Sequence, residues 1–296
     1  MAALPDVTIV IPTHDRLPYL RQAVASALAQ AVKPEVIVVR SKGELAAGSV
    51  DREFPDIVVL TCAGERAASR NAGLAIATGD WVLFLDDDDL LLPGALETLL
   101  AAAHRHRADV VRGARLVFDD DTMPDVVAGV TPVERSVSRE DLIIGAEILS
   151  PSQTLFRRDE LPDDPFREEF VPIEDYALGI TMALRDAHVV ATSATTTAYR
   201  RHPGQTVGFA LDRHALAQRR AIIEDLDQQL PQERRMRHRA RGYHDLYARA
   251  RAEHVNGHRG RALAAVLSAA AWSPSLMRRS MWWRTGASAV LRGRPS

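Results

Sequence analysis

The sequence predicts an α/β protein built on a mostly parallel, Rossmann-like sheet flanked by helices, with a helical extension at the C-terminus. Three observations carry this. Short β-branched runs alternate with stretches of helical periodicity over the first hundred residues, the pattern of a parallel sheet covered on both faces. An acidic run, Asp86-Asp87-Asp88-Asp89, follows directly on an apolar strand. The last third of the chain becomes Arg-rich and helical in pattern.

Val7-Thr8-Ile9-Val10-Ile11 reads as a buried strand closed by Pro12-Thr13. Leu17, Leu20, Val24, Ala27 and Leu28 recur at helical spacing and give way before Lys33-Pro34. Strands follow at 36–39, 57–60 and 81–85, with a helix at 66–77 before the last. A further helix is expected over 90–103, with Pro93 tolerated near its start. Val110-Val111 and Leu116-Val117-Phe118 read as two more strands, followed by a loop containing Asp119, Asp120, Asp121, Pro124 and Gly129. Residues 130–200 mix short helices, strands and turns, and from Asp212 onward the pattern is almost wholly helical.

Composition narrows the function. With 296 residues, 46% hydrophobic and 26% charged, the chain can bury a core, which excludes wholesale disorder. One cysteine, Cys62, closes no internal disulfide and builds no cysteine-rich zinc site, and it favours a reducing compartment. The start lacks the pattern of a signal peptide, and no apolar stretch reaches the roughly 18–20 residues of a membrane span. A cytoplasmic location is expected, with peripheral contact at the inner membrane face as an extension of it. The formal charge of −2 conceals an asymmetry: 19 basic against 32 acidic residues through Arg200, and 18 against 7 beyond. The basic tail carries no nucleic-acid reader motif and the acidic front half repels a phosphate backbone, so nucleic acid is not an expected partner.

Four consecutive carboxylates cannot be buried unpaired. In extended backbone Asp86 and Asp88 project to one side while Asp87 and Asp89 point elsewhere. Such oxygen pairs suit Mg2+ or Mn2+, which leave coordination positions for substrate phosphates. An acidic run by itself is more often a solvated turn or a helix N-cap. Its place at the carboxyl end of a strand, where open α/β sheets bind ligands, favours a site.

Four blocks then occur in order: Ile9-Val10-Ile11-Pro12-Thr13-His14-Asp15-Arg16, Ala68-Ser69-Arg70-Asn71-Ala72-Gly73-Leu74, Ala77-Thr78-Gly79-Asp80, and Phe84-Leu85-Asp86-Asp87-Asp88-Asp89. Together they resemble the nucleotide-binding half of glycosyltransferase family 2, inverting enzymes of GT-A fold. Pro165-Phe166-Arg167-Glu168-Glu169-Phe170 and Glu174-Asp175-Tyr176-Ala177-Leu178 resemble its acceptor-side motif, and Tyr199-Arg200-Arg201-His202-Pro203-Gly204 its closing loop. The resemblance implies a GT-A domain over 1–205, with a nucleotide-sugar half to about 118 and an acceptor half over 119–205, and leaves 206–296 as an Arg-rich helical region.

It also implies roles. Pro12, Thr13, Arg16, Arg70, Asp86 and Asp87 would serve the nucleotide donor. Asp88, Asp86 and His202 would serve a Mn2+ or Mg2+ ion, His202 being a candidate for either the ion or the diphosphate. Asp175 would be the general base, with Glu174 as fallback or acceptor ligand. The implied reaction moves a sugar from a nucleotide-diphosphate sugar, a UDP-sugar first among them, to an acceptor hydroxyl on a glycan, lipid-linked or small-molecule acceptor. The family's second strand usually ends in an acidic pair that accepts a hydrogen bond from the base, whereas this chain has Arg40-Ser41-Lys42-Gly43-Glu44. Arginine accepts no such bond, so either base recognition is rebuilt, Glu44 being one candidate, or the nucleotide differs. The alternative is a noncatalytic nucleotide- or glycan-binding protein on the same fold. A nucleotidyltransferase fits less well, because no Gly-rich phosphate loop follows Ile11.

In the tail, Leu216, Ile222, Ile223, Leu226 and Leu230 form one apolar stripe, and Met236, Ala240, Tyr243, Tyr247 and Ala250 another. The stretch 275–284 mixes Met, Trp and Arg, which suits either a helix on an anionic membrane or a last helix packed on the domain.

Overall fold

The computed structural model describes residues 6–14, 17–41, 50–119, 131–145, 147–171, 173–202 and 213–229, with isolated positions between 242 and 264. In chain order its elements are β1 (Val7–Thr13), α1 (Leu17–Leu28), β2 (Glu35–Arg40), α2 (Val50–Glu53), β3 (Val58–Thr61), α3 (Arg66–Ile76), β4 (Trp81–Phe84) and β5 (Leu90–Leu91). They continue with α4 (Ala95–His106), β6 (Val110–Asp119), β7 (Glu134–Val137), α5 (Arg139–Ile143), β8 (Thr154–Arg157), α6 (Glu174–Leu184), β9 (Val189–Arg201) and α7 (Arg213–Gln229).

Two compact units result: Met1–Val137 with Leu149–Glu169 and Leu184–Gln205, and Ser138–Ile148 with Phe170–Ala183 and Thr206–Ser296. The first holds the whole sheet, in the order β3-β2-β1-β4-β8-β6-β9-β5, with β7 also on β9. Strands β3, β2, β1 and β4 are mutually parallel, as is β6 with β9, while β8 enters antiparallel between β4 and β6. The expected mostly parallel sheet is thus realised in the half that delivers its carboxyl ends to the acidic turn.

The alternation of β1 explains its position. Val7, Ile9 and Ile11 pack with Leu20, Val24, Leu96 and Leu99 of α1 and α4. Val10 faces the other way, where a side chain at Gly73 of α3 would run into it and into Val39. A strand buried on both faces must be apolar at every position, which is why it reads as an unbroken β-branched run. Gly79 has a stricter reason to be glycine: a methyl group there would lie 2.6 Å from the Thr8 nitrogen and 2.7 Å from the Val7 carbonyl carbon. Its N–H donates to Thr8 Oγ1 at 2.9 Å, tying the α3–β4 connection to β1.

Two expectations are corrected. Residues 90–91 are not helical: Leu90 and Leu91 pair with Ala198 and Thr197 of β9, and α4 begins only at Ala95. Pro93 and a left-handed Gly94 (φ 76°) separate the two, so the helix cannot start earlier. The two strands expected at 110–111 and 116–118 are one strand, β6, whose register against β9 shifts around Ala114. The expected loop at 120–129 and the stretch 275–284 lie outside the described residues.

The second unit contains α5, α6 and α7. Ser138 caps α5 by accepting the Asp141 N–H at 3.1 Å. Ile222 and Ile223 of α7 are buried, as the tail's first apolar stripe predicts.

Candidate active site

The acidic motif leaves β4 as a turn. Leu85 N–H still donates to Val10 O (2.9 Å), Asp86 N–H donates to Ser152 Oγ (3.1 Å), and Asp89 N–H closes back on Asp86 O (3.1 Å). This closure changes where the side chains go. One carboxylate oxygen from each of Asp86, Asp88 and Asp89 lies within 4.8 Å of the others. Asp86 and Asp88 converge as expected, but Asp89 joins them, because the chain turns at 87–88 instead of staying extended.

Asp87 points away from this trio. It is 2% exposed and takes the Thr13 hydroxyl at 2.7 Å and the His14 N–H at 3.3 Å. Pro12 and Thr13 end β1 in register with Val39 and Arg40 of β2. His14 Nδ1 is 2.6 Å from Ser41 Oγ, which donates to Thr13 O at 3.2 Å. Thr13, His14, Ser41 and Asp87 therefore bind the carboxyl ends of β1, β2 and β4 into one edge. Arg40 is half-buried there, and its Nε has no hydrogen-bond partner among the described residues. Arg16 and Glu44 lie outside the described residues.

Arg70 of α3 pairs with Asp86. Its side chain is 1% exposed and its guanidinium sits 5.1 Å from the Phe166 ring centroid. Asn71 holds that ring in place, donating to Phe166 O at 2.8 Å and accepting the Phe166 N–H at 3.1 Å. Phe166 also meets Phe84 edge-on at 4.7 Å. On the opposite side of the turn, His202 Nε2 is 3.0 Å from Asp88 Oδ2, with its ring 5.1 Å from that of Tyr19. Arg200, 2% exposed, donates its main-chain N–H to Asp89 Oδ1 (3.2 Å) and its Nε–H to Asp88 O (3.0 Å).

Electrostatics set the character of the site. Burial raises the Asp89 carboxyl well above the usual carboxylate range, and the charges of Asp86 and Asp88 raise it further. Hydrogen bonds from Ser152 and the Arg200 N–H act against this. Three converging carboxylates with one strongly disfavoured charge form an all-oxygen donor set for a hard divalent cation, and His202 adds a nitrogen beside Asp88. Mg2+ or Mn2+ fits these residues.

Glu174 and Asp175 belong to the second unit, at the N-terminus of α6. Glu174 is 2% exposed, and Asp175 accepts the N–H of Tyr176 at 2.7 Å. Tyr176 anchors the helix: its hydroxyl donates to Ile143 O (2.8 Å) and its ring lies 4.3 Å from the Arg219 guanidinium, which donates to Ile144 O at 3.0 Å. Burial raises its phenol pKa, and the neighbouring Arg219 opposes that rise.

Sequence reasoning assigned no role to Asp89, Ser152, Tyr19, Asn71 or Arg200. Asp89, Asn71 and Arg200 stand inside the family-like motifs, and that is a usable signal. Ser152 and Tyr19 carried none, since their function comes from partners 66 and 183 residues away.

A parallel α/β edge that carries a convergent acidic turn places the chain among open-sheet folds that bind ligands at the carboxyl ends of their strands. Residues 8–161 match the family described as Glycosyl transferase family 2. The chain belongs to glycosyltransferase family 2. Among curated relatives, it is 34% identical over 122 residues to the succinoglycan biosynthesis protein ExoO of Rhizobium meliloti, covering 40% of this chain and 33% of that one. It is 26% identical over 175 residues to the GalNAc(5)-diNAcBac-PP-undecaprenol beta-1,3-glucosyltransferase of Campylobacter jejuni, 56% of each chain. The matched part is thus about a third to a half of these relatives. Among solved structures, S. aureus TarS 1-349 in complex with UDP-GlcNAc superposes with a TM-score of 0.61 at 19% identity, covering 75% of this chain and 66% of that one. That likeness supports the expected GT-A fold.

Proposed function

We propose that this chain is a metal-dependent inverting glycosyltransferase that moves a sugar from a nucleotide-diphosphate sugar to an acceptor hydroxyl. The observation that carries the reading is the convergence of Asp86, Asp88 and Asp89 at the carboxyl edge of the parallel strands, beside the Arg70–Asp86 pair. Asp88, Asp86 and His202 would hold a Mn2+ or Mg2+ ion, which supplies positive charge for the diphosphate that departs. Arg70 adds a fixed guanidinium to the same edge. Pro12, Thr13 and, by the family resemblance, Arg16 would serve the nucleotide donor, and Asp87 acts on that side through Thr13 and His14.

In the transfer, the acceptor oxygen bonds to the anomeric carbon from the face opposite the leaving group as the sugar–phosphate bond breaks. Asp175 takes the hydroxyl proton, with Glu174 as its neighbouring alternative. The GT-A domain spans 1–205 and the helical region 206–296 in this reading. A UDP-sugar is the first donor to try, given the UDP-GlcNAc complex of TarS. Arg40 argues that the base is met by a donor group in place of an acceptor. The acceptor is a glycan, a lipid-linked sugar or a small molecule; a lipid-linked one accords with the name of the Campylobacter relative and with peripheral attachment to the cytoplasmic membrane face. Among the described residues, no helix is long and apolar enough to cross a membrane.

The test is thermal unfolding with UDP, GDP, dTDP or CMP, each with and without Mn2+. A nucleotide at 100 times its dissociation constant adds about 2.7 kcal/mol to the folded state. One nucleotide should give a Mn2+-dependent shift that Asp88→Ala abolishes. Asp175→Asn should keep that shift and lose sugar transfer by at least about a hundredfold. A shift unchanged in Asp88→Ala refutes the metal assignment, and full turnover by Asp175→Asn refutes the base. No shift with any nucleotide moves the noncatalytic reading ahead.

A further inference from the structure

We infer that Arg200 is the positioning residue of the acidic turn: its planar fork holds the Asp88 carbonyl, and its main-chain N–H the Asp89 carboxylate, in the arrangement a divalent cation requires. The inference rests on the cation reading above. Arg200 is 2% exposed, at the end of β9, so its charge is withdrawn from solvent. Its guanidinium lies between the rings of Tyr19 (4.6 Å, from α1) and Phe118 (4.7 Å, from β6). Clamped there, it uses two different edges: Nε–H donates to Asp88 O at 3.0 Å, and a terminal N–H donates to Gln22 Oε1 at 2.6 Å. Its main-chain N–H donates to the Asp89 carboxylate at 3.2 Å. One residue therefore sets the carbonyl of Asp88 and the carboxylate of Asp89 at once, while His202 two positions on meets the Asp88 carboxylate.

Without such a brace, three mutually repelling carboxylates within 4.8 Å of one another would spread. Lysine does not replace it. A single ammonium on a flexible stem cannot stack between two rings and span Asp88 O and Gln22 in one plane.

The sign of one measurement separates positioning from simple electrostatics. A buried positive charge beside a cation site repels the cation, so removing it should tighten cation binding if charge alone mattered. If Arg200 works by holding the turn, its removal should weaken binding. Mn2+ binding would be titrated by electron paramagnetic resonance, without nucleotide, for wild type, Arg200→Met, Arg200→Lys and Gln22→Leu, far below each unfolding midpoint. Arg200→Met should bind Mn2+ about tenfold or more weakly, the loss typical when a partner of metal ligands is removed. Arg200→Lys should also be weakened, and Gln22→Leu should shift the same way by a smaller factor. Should Arg200→Met fail to fold, the other two variants decide. Equal or tighter binding by Arg200→Met, or wild-type binding by Arg200→Lys and Gln22→Leu together, overturns the inference while leaving the cation site standing. No Mn2+ binding by wild type overturns the cation reading and this inference with it.

Discussion

Replacing Arg70 with methionine keeps the length and apolar body of a side chain that is 1% exposed while deleting its charge. Asp86 then stays beside Asp88 and Asp89 without its guanidinium. Two unit charges about 4 Å apart attract by about 4 kcal/mol at an effective dielectric of about 20. Removing one partner of a buried pair typically destabilises by about 3–5 kcal/mol. The Asp86 side chain is 28% exposed, so water takes up part of the lost interaction and the lower end, about 3 kcal/mol, applies. Asp86→Asn alone strands the buried Arg70 cation, offset in part by relief of repulsion within the trio and by the kept Phe166 contact, so its cost should also be about 3 kcal/mol. The double variant removes both charges and should lose only about 2 kcal/mol, leaving a coupling of about 4 kcal/mol. Equilibrium urea unfolding in EDTA measures all four proteins. Additivity within about 0.5 kcal/mol would show that Arg70 and Asp86 do not stabilise one another, and the electrostatic account of the turn would fail.

Gly79→Ala should destabilise by about 3 kcal/mol, because its methyl group meets the backbone of β1, which cannot yield as a side chain would; an unchanged urea midpoint would refute the close approach. Glu134 gives a pH dependence. Its carboxyl is held below the usual value, first by the hydrogen bonds from Arg105 and further by His106. The folded state therefore favours the charged form, so the stabilisation is full above the unfolded-state pKa near 4.5 and is lost as pH falls through the lowered native value. Glu134→Gln should accordingly lower the unfolding midpoint at pH 7 and match wild type at the acid end, and an equal deficit at every pH would refute the ion-pair origin.

Much of the fold was legible because its signals are local. A strand buried on both faces must be β-branched throughout, and α1 had to show its buried Leu20, Val24 and Ala27 at helical spacing. The segment 90–103 misled because Leu90-Leu91-Leu92 suits a helix and a short strand equally. Only the pairing of Leu90 with Ala198, a residue far along the chain, decided between them.

The acidic motif shows the same division at the site. From the residues alone, four carboxylates after a strand required a positive partner, and Asp86 and Asp88 were its natural holders. Which carboxylates converge depended on the turn at 87–88, which sends Asp87 to Thr13 and brings Asp89 into the trio. Residue type and spacing determine periodicity and the kinds of atoms available, and these stand in the sequence. Ser152 and Arg200 reach the turn, and Tyr19 reaches His202 and Arg200 beside it, through sheet pairing and helix packing across 66 to 183 residues, and those distances exist only once the chain has closed on itself.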